Sequence, residues 1–206
     1  MLEVKELAVR GEVRGATLRL NRGDVALLHG EGAGAVARAV AGLVPAVTGV
    51  VRLHGDELTG LSPQAVAARG VAYVGPAALP YPDLTVVENL VAGAAAGDVR
   101  GRIERADAVL ASLPPLATQA ATRAGALPDG DAAVLAIGVA LARRPRLLLL
   151  DGLTDRVREA YAVVRHALRL AAIEEVVTLA TETVEPADAA EYDVTFAMRR
   201  GWLRSA

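Results

Sequence analysis

The sequence predicts an α/β domain, and three features support this fold class. A short apolar run, Val25–Leu28, leads into a glycine cluster and then into an alanine- and valine-rich segment of helical composition that extends to Gly42. The run RLLLLD at 146–151 is continuously apolar, which is typical of a strand buried on both faces of a parallel sheet. After an N-terminal part rich in strand patterns, segments of helix and strand character mostly alternate along the chain.

Strands are predicted through most of the first third of the chain. Residues 2–20 contain two alternating segments, EVKELAV and ATLRL, and a turn at 21–23 leads into the strand at 24–28. The helix after the glycines is expected to end before Pro45, and VVRLHG at 50–55 is another strand. Ser62 followed by Pro63 predicts the start of a helix that Gly70 ends. VAYVG at 71–75 is then a strand, followed by a proline-rich loop at 76–83.

The middle and end of the chain give clearer local signals. Thr85 and Glu88 have the spacing of a capping box, which predicts a helix at about 86–95. Further helices are expected at 99–112, at about 131–143 and, with an amphipathic pattern, at 155–171. Pro114 and Pro115 are expected to end the first of these helices, and an alanine- and threonine-rich connector at 116–127 follows. The segments at 146–151, 176–181 and 194–198 are the last predicted strands.

Composition excludes several classes of protein. We expect a single domain over residues 1–206, long enough to bury a sizeable core. Since 53% of the residues are hydrophobic and only 3% are aromatic, that core must consist of alanine, valine and leucine. A net charge of −2 gives no electrostatic signature for nucleic-acid binding, and the absence of cysteine excludes disulfides. No apolar run reaches the ~18–20 residues of a membrane span, and we expect a cytoplasmic protein.

The glycine cluster is the main candidate for a functional site. A strand, a glycine turn and a helix bring backbone N–H groups and the positive end of the helix to one point, which suits a phosphate group. A P-loop has the pattern G-x-x-x-x-G-K-[ST], in which the lysine reaches the terminal phosphates and the hydroxyl binds Mg²⁺. The only lysine in this chain is Lys5. The candidate binding residues are Gly30, Glu31, Gly32, Ala33, Gly34, Ala35 and Val36.

Five segments, taken in order, resemble the ATP-binding subunit of ABC transporters. They are LLHGEGAG…AVAGL, TGVVRLHGDELTGLSPQAVAARGVAYV, PDLTVVENLVAGA, LAIGVALARRPRLLLLD and DVTFAMRRG. Within that family the chain is most similar to the ATPase subunits of branched-chain amino acid importers. The resemblance implies a P-loop NTPase-like core with a mostly parallel sheet, an N-terminal antiparallel β subdomain and a helical subdomain at about 76–140 that contacts a membrane permease.

The resemblance also assigns the family's nucleotide-binding positions, and most of them hold the wrong type of residue. The P-loop lysine and hydroxyls fall within 33–37, the adenine-stacking aromatic around 9–11, and the glutamine-loop position at 75–76. The signature LSGGQ corresponds to LPDGD, which keeps only Gly130. Asp151 matches the Mg²⁺-associated aspartate, but the general-base glutamate beside it is Gly152, and the switch histidine falls near Thr183.

These losses affect different parts of one reaction. A lysine–phosphate contact is worth roughly 1.5–3 kcal/mol, and a positioned general base contributes about 10²–10⁴ in rate. We therefore expect no ATP hydrolysis, and we expect ATP and Mg²⁺ to bind weakly or not at all. ABC nucleotide sites combine a P-loop from one subunit with a signature from another, and both halves are altered here. The expected partners are a permease subunit, a second ATPase subunit, or both.

Other interpretations of the same residues remain open at this stage. The glycines could form a plain strand-to-helix turn, or a dinucleotide-binding turn served by Asp56 about 20 residues further on. Asp151 could be a strand-end carboxylate that only caps a neighbouring turn. The chain could also be a working ATPase in which Asp155 or Glu182 replaces the lost base.

Overall fold

Ten strands of the described residues form one mixed sheet. The computed structural model describes residues 1–94, 98–153, 157, 160–187 and 189–205. The strands are β1 Leu2–Val9, β2 Val13–Leu20, β3 Val25–His29, β4 Ala46–Leu53, β5 Asp56–Glu57, β6 Val71–Val74, β7 Leu147–Asp151, β8 Val177–Glu182, β9 Val194–Arg199 and β10 Trp202–Ser205. Their order in the sheet is β5-β4-β1-β2-β10-β9-β3-β8-β7-β6.

The sheet has a parallel half and an antiparallel half. Strands β9, β3, β8, β7 and β6 pair in parallel, with Leu149 opposite Leu179 in the central β7–β8 pair. Strand β1 pairs antiparallel with β2 and with β4, and β10 joins this half to β9. Because parallel strands end at the same edge of a sheet, the carboxyl ends of β3, β6, β7 and β8 lie together.

Seven α-helices lie within the described residues. They are α1 Ala33–Val40, α2 Pro63–Ala68, α3 Val86–Gly93, α4 Val99–Ser112, α5 Pro114–Ala117, α6 Asp129–Ala142 and α7 Tyr161–Ile173. The capping box predicted at α3 is confirmed, since the Glu88 N–H donates to the Thr85 hydroxyl over 3.2 Å and the Thr85 N–H to the Glu88 carboxylate over 2.7 Å. The Ser62 cap at α2 is confirmed as well.

One helix start and one additional helix differ from the sequence prediction. Helix α7 begins at Tyr161 instead of residue 155. Before it, Val157 lies in a turn, and its carbonyl accepts a hydrogen bond from the Ala160 N–H. Residues 154–156 are outside the described part of the chain. Helix α4 ends at Ser112, before Pro114 and Pro115, as predicted; the two prolines also start the short helix α5, which was not predicted, because proline is compatible with the first helical turn.

The core lies on both faces of the parallel sheet. Leu148 and Leu150 of β7 pack into a cluster with α3, α4, α6 and α7, while Leu147 and Leu149 pack into a second cluster with α1 and the antiparallel strands. Side chains of a strand alternate between its two faces, so a strand covered on both sides is apolar throughout. This explains the uninterrupted leucine run and confirms its predicted place in a parallel sheet.

Candidate functional site

The glycine turn, residues 30–34, connects β3 to α1 at the carboxyl edge of the parallel strands. The Ala33 N–H donates to the Gly30 carbonyl over 3.1 Å, which closes the turn on itself as a four-residue β-turn does. The Gly30 N–H donates to the carbonyl of Glu182 at the end of β8 over 2.9 Å, and the Val36 N–H donates to the Gly32 carbonyl over 3.2 Å. Three amides of this segment therefore already donate within the chain.

Glycine is required in this turn for steric reasons. Gly30 has φ +104° and Gly32 has φ +94°, a region that other residues rarely adopt. A Cβ at Gly30 would lie 2.3 Å from the Met198 carbonyl oxygen, and one at Gly32 would lie 2.7 Å from the Glu12 carbonyl oxygen. The turn is thus packed against the backbone of β9 on one side and against the turn between β1 and β2 on the other.

Asp151, at the end of β7, is the central acidic residue of the site and is 5% exposed. Its Oδ2 accepts hydrogen bonds from the Tyr73 hydroxyl at 2.7 Å and from the Arg38 Nη1 at 3.2 Å. Its Oδ1 accepts from the Thr181 hydroxyl at 2.9 Å. The Arg38 Nη2 also donates to the Glu12 Oε2 at 2.9 Å. We call these five residues the Asp151 cluster.

The Tyr73 hydroxyl is fixed as a donor in this cluster. Burial of the side chain, reinforced by the hydrogen bond to Asp151 and by the carboxylate charge, raises the pKa of Tyr73 above its usual value. The phenol therefore keeps its proton over the whole physiological range. The carboxylate of Asp151 thus receives two neutral hydroxyl donors and one cationic donor.

Two glycines lie next to this cluster, and each has its side-chain space filled by cluster members. A Cβ at Gly34 would lie 2.6 Å from the Asp151 Oδ1 and 2.9 Å from the Arg38 Nη1. A Cβ at Gly75 would lie 2.6 Å from the Tyr73 hydroxyl oxygen. Gly34 follows the glycine turn's first helical residue, and Gly75 is at the position that the resemblance assigns to the glutamine loop. The cluster occupies the room that side chains at these two positions would need.

The residues present do not fit a magnesium ion held at Asp151. Mg²⁺ prefers octahedral oxygen coordination, commonly with one or two carboxylates and several waters. Both oxygens of Asp151 already accept hydrogen bonds, one of them from a cation, and Gly34 offers no hydroxyl. Within the described residues, no group of three or more His, Cys, Asp or Glu side chains could hold a metal ion.

The remaining predicted residues lie in different places. Gly130 is in the first turn of α6 and is not part of the Asp151 cluster. Gly152 follows β7 with φ +64°, and Glu31 is exposed in the glycine turn. Asp155 lies outside the described residues. Asp56 is in β5 at the far end of the sheet, where it pairs with Arg146 over 3.3 Å; this position is not beside β3, as a dinucleotide site would require.

Four members of the cluster were not predicted from the sequence as site residues: Glu12, Arg38, Tyr73 and Thr181. One signal was available for Arg38, because it is the only charged residue in α1, an otherwise apolar helix of alanine, glycine and valine. A charge in such a helix, so close to a candidate anion site, indicates a counter-charge nearby. The other three residues gave no local signal.

The fold and the site together define an ATP-binding cassette of the P-loop NTPase class, with a glycine turn after a central parallel strand and an acidic residue at the end of a neighbouring strand. The chain belongs to the ABC transporter family, whose sequence model matches residues 13–155. This confirms the resemblance found in the sequence.

Curated relatives include two proteins of branched-chain amino acid transport. BraG of Pseudomonas aeruginosa, a high-affinity branched-chain amino acid transport ATP-binding protein, is 32% identical over 138 residues, covering 66% of this chain and 59% of BraG. LivF of Archaeoglobus fulgidus, by name a branched-chain amino acid transport ATP-binding protein, is 32% identical over 134 residues, covering 65% of this chain and 57% of LivF. The matches thus span less than two thirds of either relative.

Solved structures confirm the fold. The dimeric ABC transporter cassette MJ0796 superposes with a TM-score of 0.84 at 17% identity, covering 100% of this chain and 98% of that chain. The ATP-binding cassette MJ1267 in its ADP conformation superposes with a TM-score of 0.82 at 22% identity, covering 98% and 89%. Within the described part of the chain, each helix is too short or too polar to cross a membrane.

Proposed function

We propose that this chain is a catalytically degenerate ATP-binding-subunit homologue of an ABC transporter, related to the subunits of branched-chain amino acid import. It does not hydrolyse ATP, binds the nucleotide weakly or not at all, and acts as a structural or regulatory partner in a transport complex. Residues 30–36 are the remnant of its P-loop, Gly130 the remnant of its signature, and Asp151 the former magnesium position.

One observation carries this proposal: the glycine turn closes on itself while the adjacent carboxylate is fully engaged by the protein's own side chains. A phosphate-binding turn needs free amides and a cation, and here the Ala33 and Gly30 amides donate internally. Ala33 and Gly34 bring no ammonium or hydroxyl group to the turn, and Glu31 adds a negative charge that repels an anion.

The partners follow from the family. ABC cassettes work with permease subunits, and one solved relative is described as part of an ABC transporter complex, cbiONQ. We propose that the segment at about 76–140, which contains α3 to α6, contacts a permease and that the chain is held at the cytoplasmic face of the membrane in this way. A second, active ATPase subunit would supply the hydrolysis.

Calorimetric titration with MgATP, together with a phosphate-release assay, tests the catalytic part. We expect no heat of binding at micromolar nucleotide and no phosphate release above a protein-free blank, with BraG as the positive control. Micromolar binding with turnover would refute the proposal. If turnover occurs and Glu182→Ala abolishes it, the alternative of an ATPase with a substituted base is correct.

Co-expression tests the partner role. The chain is produced together with candidate permease and ATPase subunits from the same organism, and the complex is purified through a tag on the permease. We expect the chain to co-purify in stoichiometric amount, and we expect its omission to change the ATPase rate of the complex. Absence from the purified complex would refute the role.

A further inference from the structure

We propose that the chain forms a homodimer through a surface at the amino edge of its parallel strands, with a second copy of the chain as the occupant of that surface. The surface, called here the α7 patch, consists of Leu170 and Ile173 at the end of α7, an apolar groove beside them, and the charged residues Arg105, Arg144 and Glu174 on its rim. The inference goes beyond the proposed function and does not depend on it.

The first step of the argument is the exposure of two large apolar side chains. Leu170 and Ile173 are three residues apart on α7 and therefore share a face of the helix, yet they are 41% and 79% exposed. Ile173 is the most exposed large hydrophobic residue in the described part of the chain. A single exposed apolar residue needs no explanation, but an apolar pair beside a groove is typical of an interaction surface.

The groove beside this pair has a volume of about 350 Å³ and lies between α4, the end of α6 and α7. Its walls are mostly apolar and are formed by Val109, Leu141, Ala142, Ala167, Ala171 and Val176. Strand β7 begins at Leu147 and β8 at Val177, so the groove lies at the amino edge of these strands, opposite the end that carries Asp151. A contact made here leaves the glycine turn and the Asp151 cluster accessible to other partners.

Two arginines and one glutamate border the groove. Arg105 belongs to α4, Arg144 follows α6 and Glu174 follows α7. Within the described residues, none of these three side chains makes a hydrogen bond or an ion pair. Arg144 also has φ +51°, a left-handed conformation in which glycine is preferred at the end of a helix. The guanidinium groups and the carboxylate are therefore available to another molecule.

The end of α7 is fixed before any contact is made. The Glu175 N–H donates to the Ala172 carbonyl over 2.9 Å, and the Val176 N–H donates to the Ala171 carbonyl over 3.1 Å. The Glu175 carboxylate also pairs with Arg22 at 2.6 Å. Side chains that a fixed turn presents lose little conformational freedom on association, which lowers the cost of binding.

The charges indicate which occupant fits. An acidic partner would be repelled by Glu174 and a basic partner by the two arginines, whereas a surface that carries both signs can satisfy all three charges. The α7 patch is itself such a surface, and it provides both a projecting apolar side chain and an apolar groove.

In a two-fold contact the same patch is used by both copies, so that a residue of one copy meets its complement on the other in both directions. Leu170 and Ile173 of each copy then enter the groove of the other. Glu174 of each copy faces Arg105 and Arg144 of the other.

Sedimentation velocity of the full chain, over micromolar to submillimolar concentrations, tests the proposal. We expect the mass to rise with concentration from 21.2 kDa toward twice that value. Ile173→Glu places a charge in the apolar contact and should weaken the dimer about tenfold or more, with an unchanged Tm because the residue is largely exposed. Val184→Glu is the matched control, since Val184 is 76% exposed and follows β8 at the opposite edge; we expect its dimer to be unaffected.

Charge reversal gives a second readout. One variant carries Glu174→Arg, and another carries Arg105→Glu together with Arg144→Glu. Each variant alone places like charges across the contact and should be monomeric where the unmodified protein is dimeric. An equimolar mixture of the two should form a heterodimer, because every charge then faces its opposite. Ile173→Glu remains usable if a charge variant fails to fold.

A monomer over the whole concentration series would overturn the inference. So would a dimer that Ile173→Glu leaves intact or that Val184→Glu dissociates, or a mixture of the two folded charge variants that stays monomeric. A monomer that instead binds a synthetic amphipathic helix of leucine and glutamate would overturn it in favour of a helical partner. None of these results depends on ATP or on a permease, so the proposed function is judged separately.

Discussion

The substitution Gly34→Ala distinguishes a filled site from an open one, because the two cases predict changes of opposite sign. Gly34 is the second residue of α1 and does not have a positive φ. In an open site, alanine would stabilise the helix by about 0.8–1.0 kcal/mol relative to glycine. In this structure the new Cβ would lie 2.6 Å from the Asp151 Oδ1 and 2.9 Å from the Arg38 Nη1.

The steric cost outweighs the helical gain at this position. Asp151 cannot move away cheaply, since Tyr73 and Thr181 hold its carboxylate at 2.7 and 2.9 Å. Overpacking of a buried site typically costs about 1–3 kcal/mol, and subtracting the helical gain leaves a net destabilisation of about 0–2 kcal/mol. For a chain of this length, that lowers the Tm by up to roughly 8 °C.

Thermal unfolding followed by circular dichroism measures the shift, with Gly101→Ala as the control. Gly101 lies in the first turn of α4, and a Cβ there would meet only the Asp98 carboxylate, at 3.1 Å. We expect the control to melt at or above the unmodified protein. If Gly34→Ala is as stable as Gly101→Ala, the space beside Asp151 is not filled and the reasoning is wrong.

Two further predictions concern local interactions. Thr85→Ala removes the capping box of α3 and should cost about 1 kcal/mol, or roughly 2–4 °C in Tm by calorimetry; an unchanged Tm would contradict the role of the cap. Burial disfavours the charge of Asp193, but hydrogen bonds from Arg169 at 2.5 Å and from the Val25 N–H at 2.9 Å hold its pKa below the usual value. A lowered pKa adds stability above the unfolded value of about 3.9 and loses it as the pH falls through the folded value. Urea denaturation between about pH 3 and pH 6 measures the free energy of unfolding at each pH. We expect this free energy to fall toward acid in the unmodified protein and to fall less in Asp193→Asn; an equal dependence on pH in the two proteins would refute the prediction.

The sequence predicts the elements of this fold wherever the signal is local. Thr85 and Glu88 are three residues apart, so their capping box depends on nothing else in the chain, and it was predicted correctly. The strand ending at Asp151 was also predicted, because burial on both faces leaves an apolar run. The start of α7 was not, since the apolar spacing of a helix begins at about residue 155 whereas α7 begins at Tyr161.

The Asp151 cluster could not be predicted in the same way. Arg38 and Asp151 are 113 positions apart, and their contact depends on the strand order that brings β7 beside α1. Tyr73 is hidden in a strand pattern, and its hydroxyl reaches Asp151 in the room left free by a glycine at position 75. The sequence shows which residue types stand at these positions, but only the structure shows which side chains contact one another there.

The two filled glycine positions limit which substitutions the site can accept. A serine at Gly34 would collide with Asp151, a glutamine at Gly75 would collide with the Tyr73 hydroxyl, and loss of Arg38 would remove the ion pair of a buried acid. Each of these single changes weakens the protein by itself, so the site can be remodelled only by several coordinated substitutions.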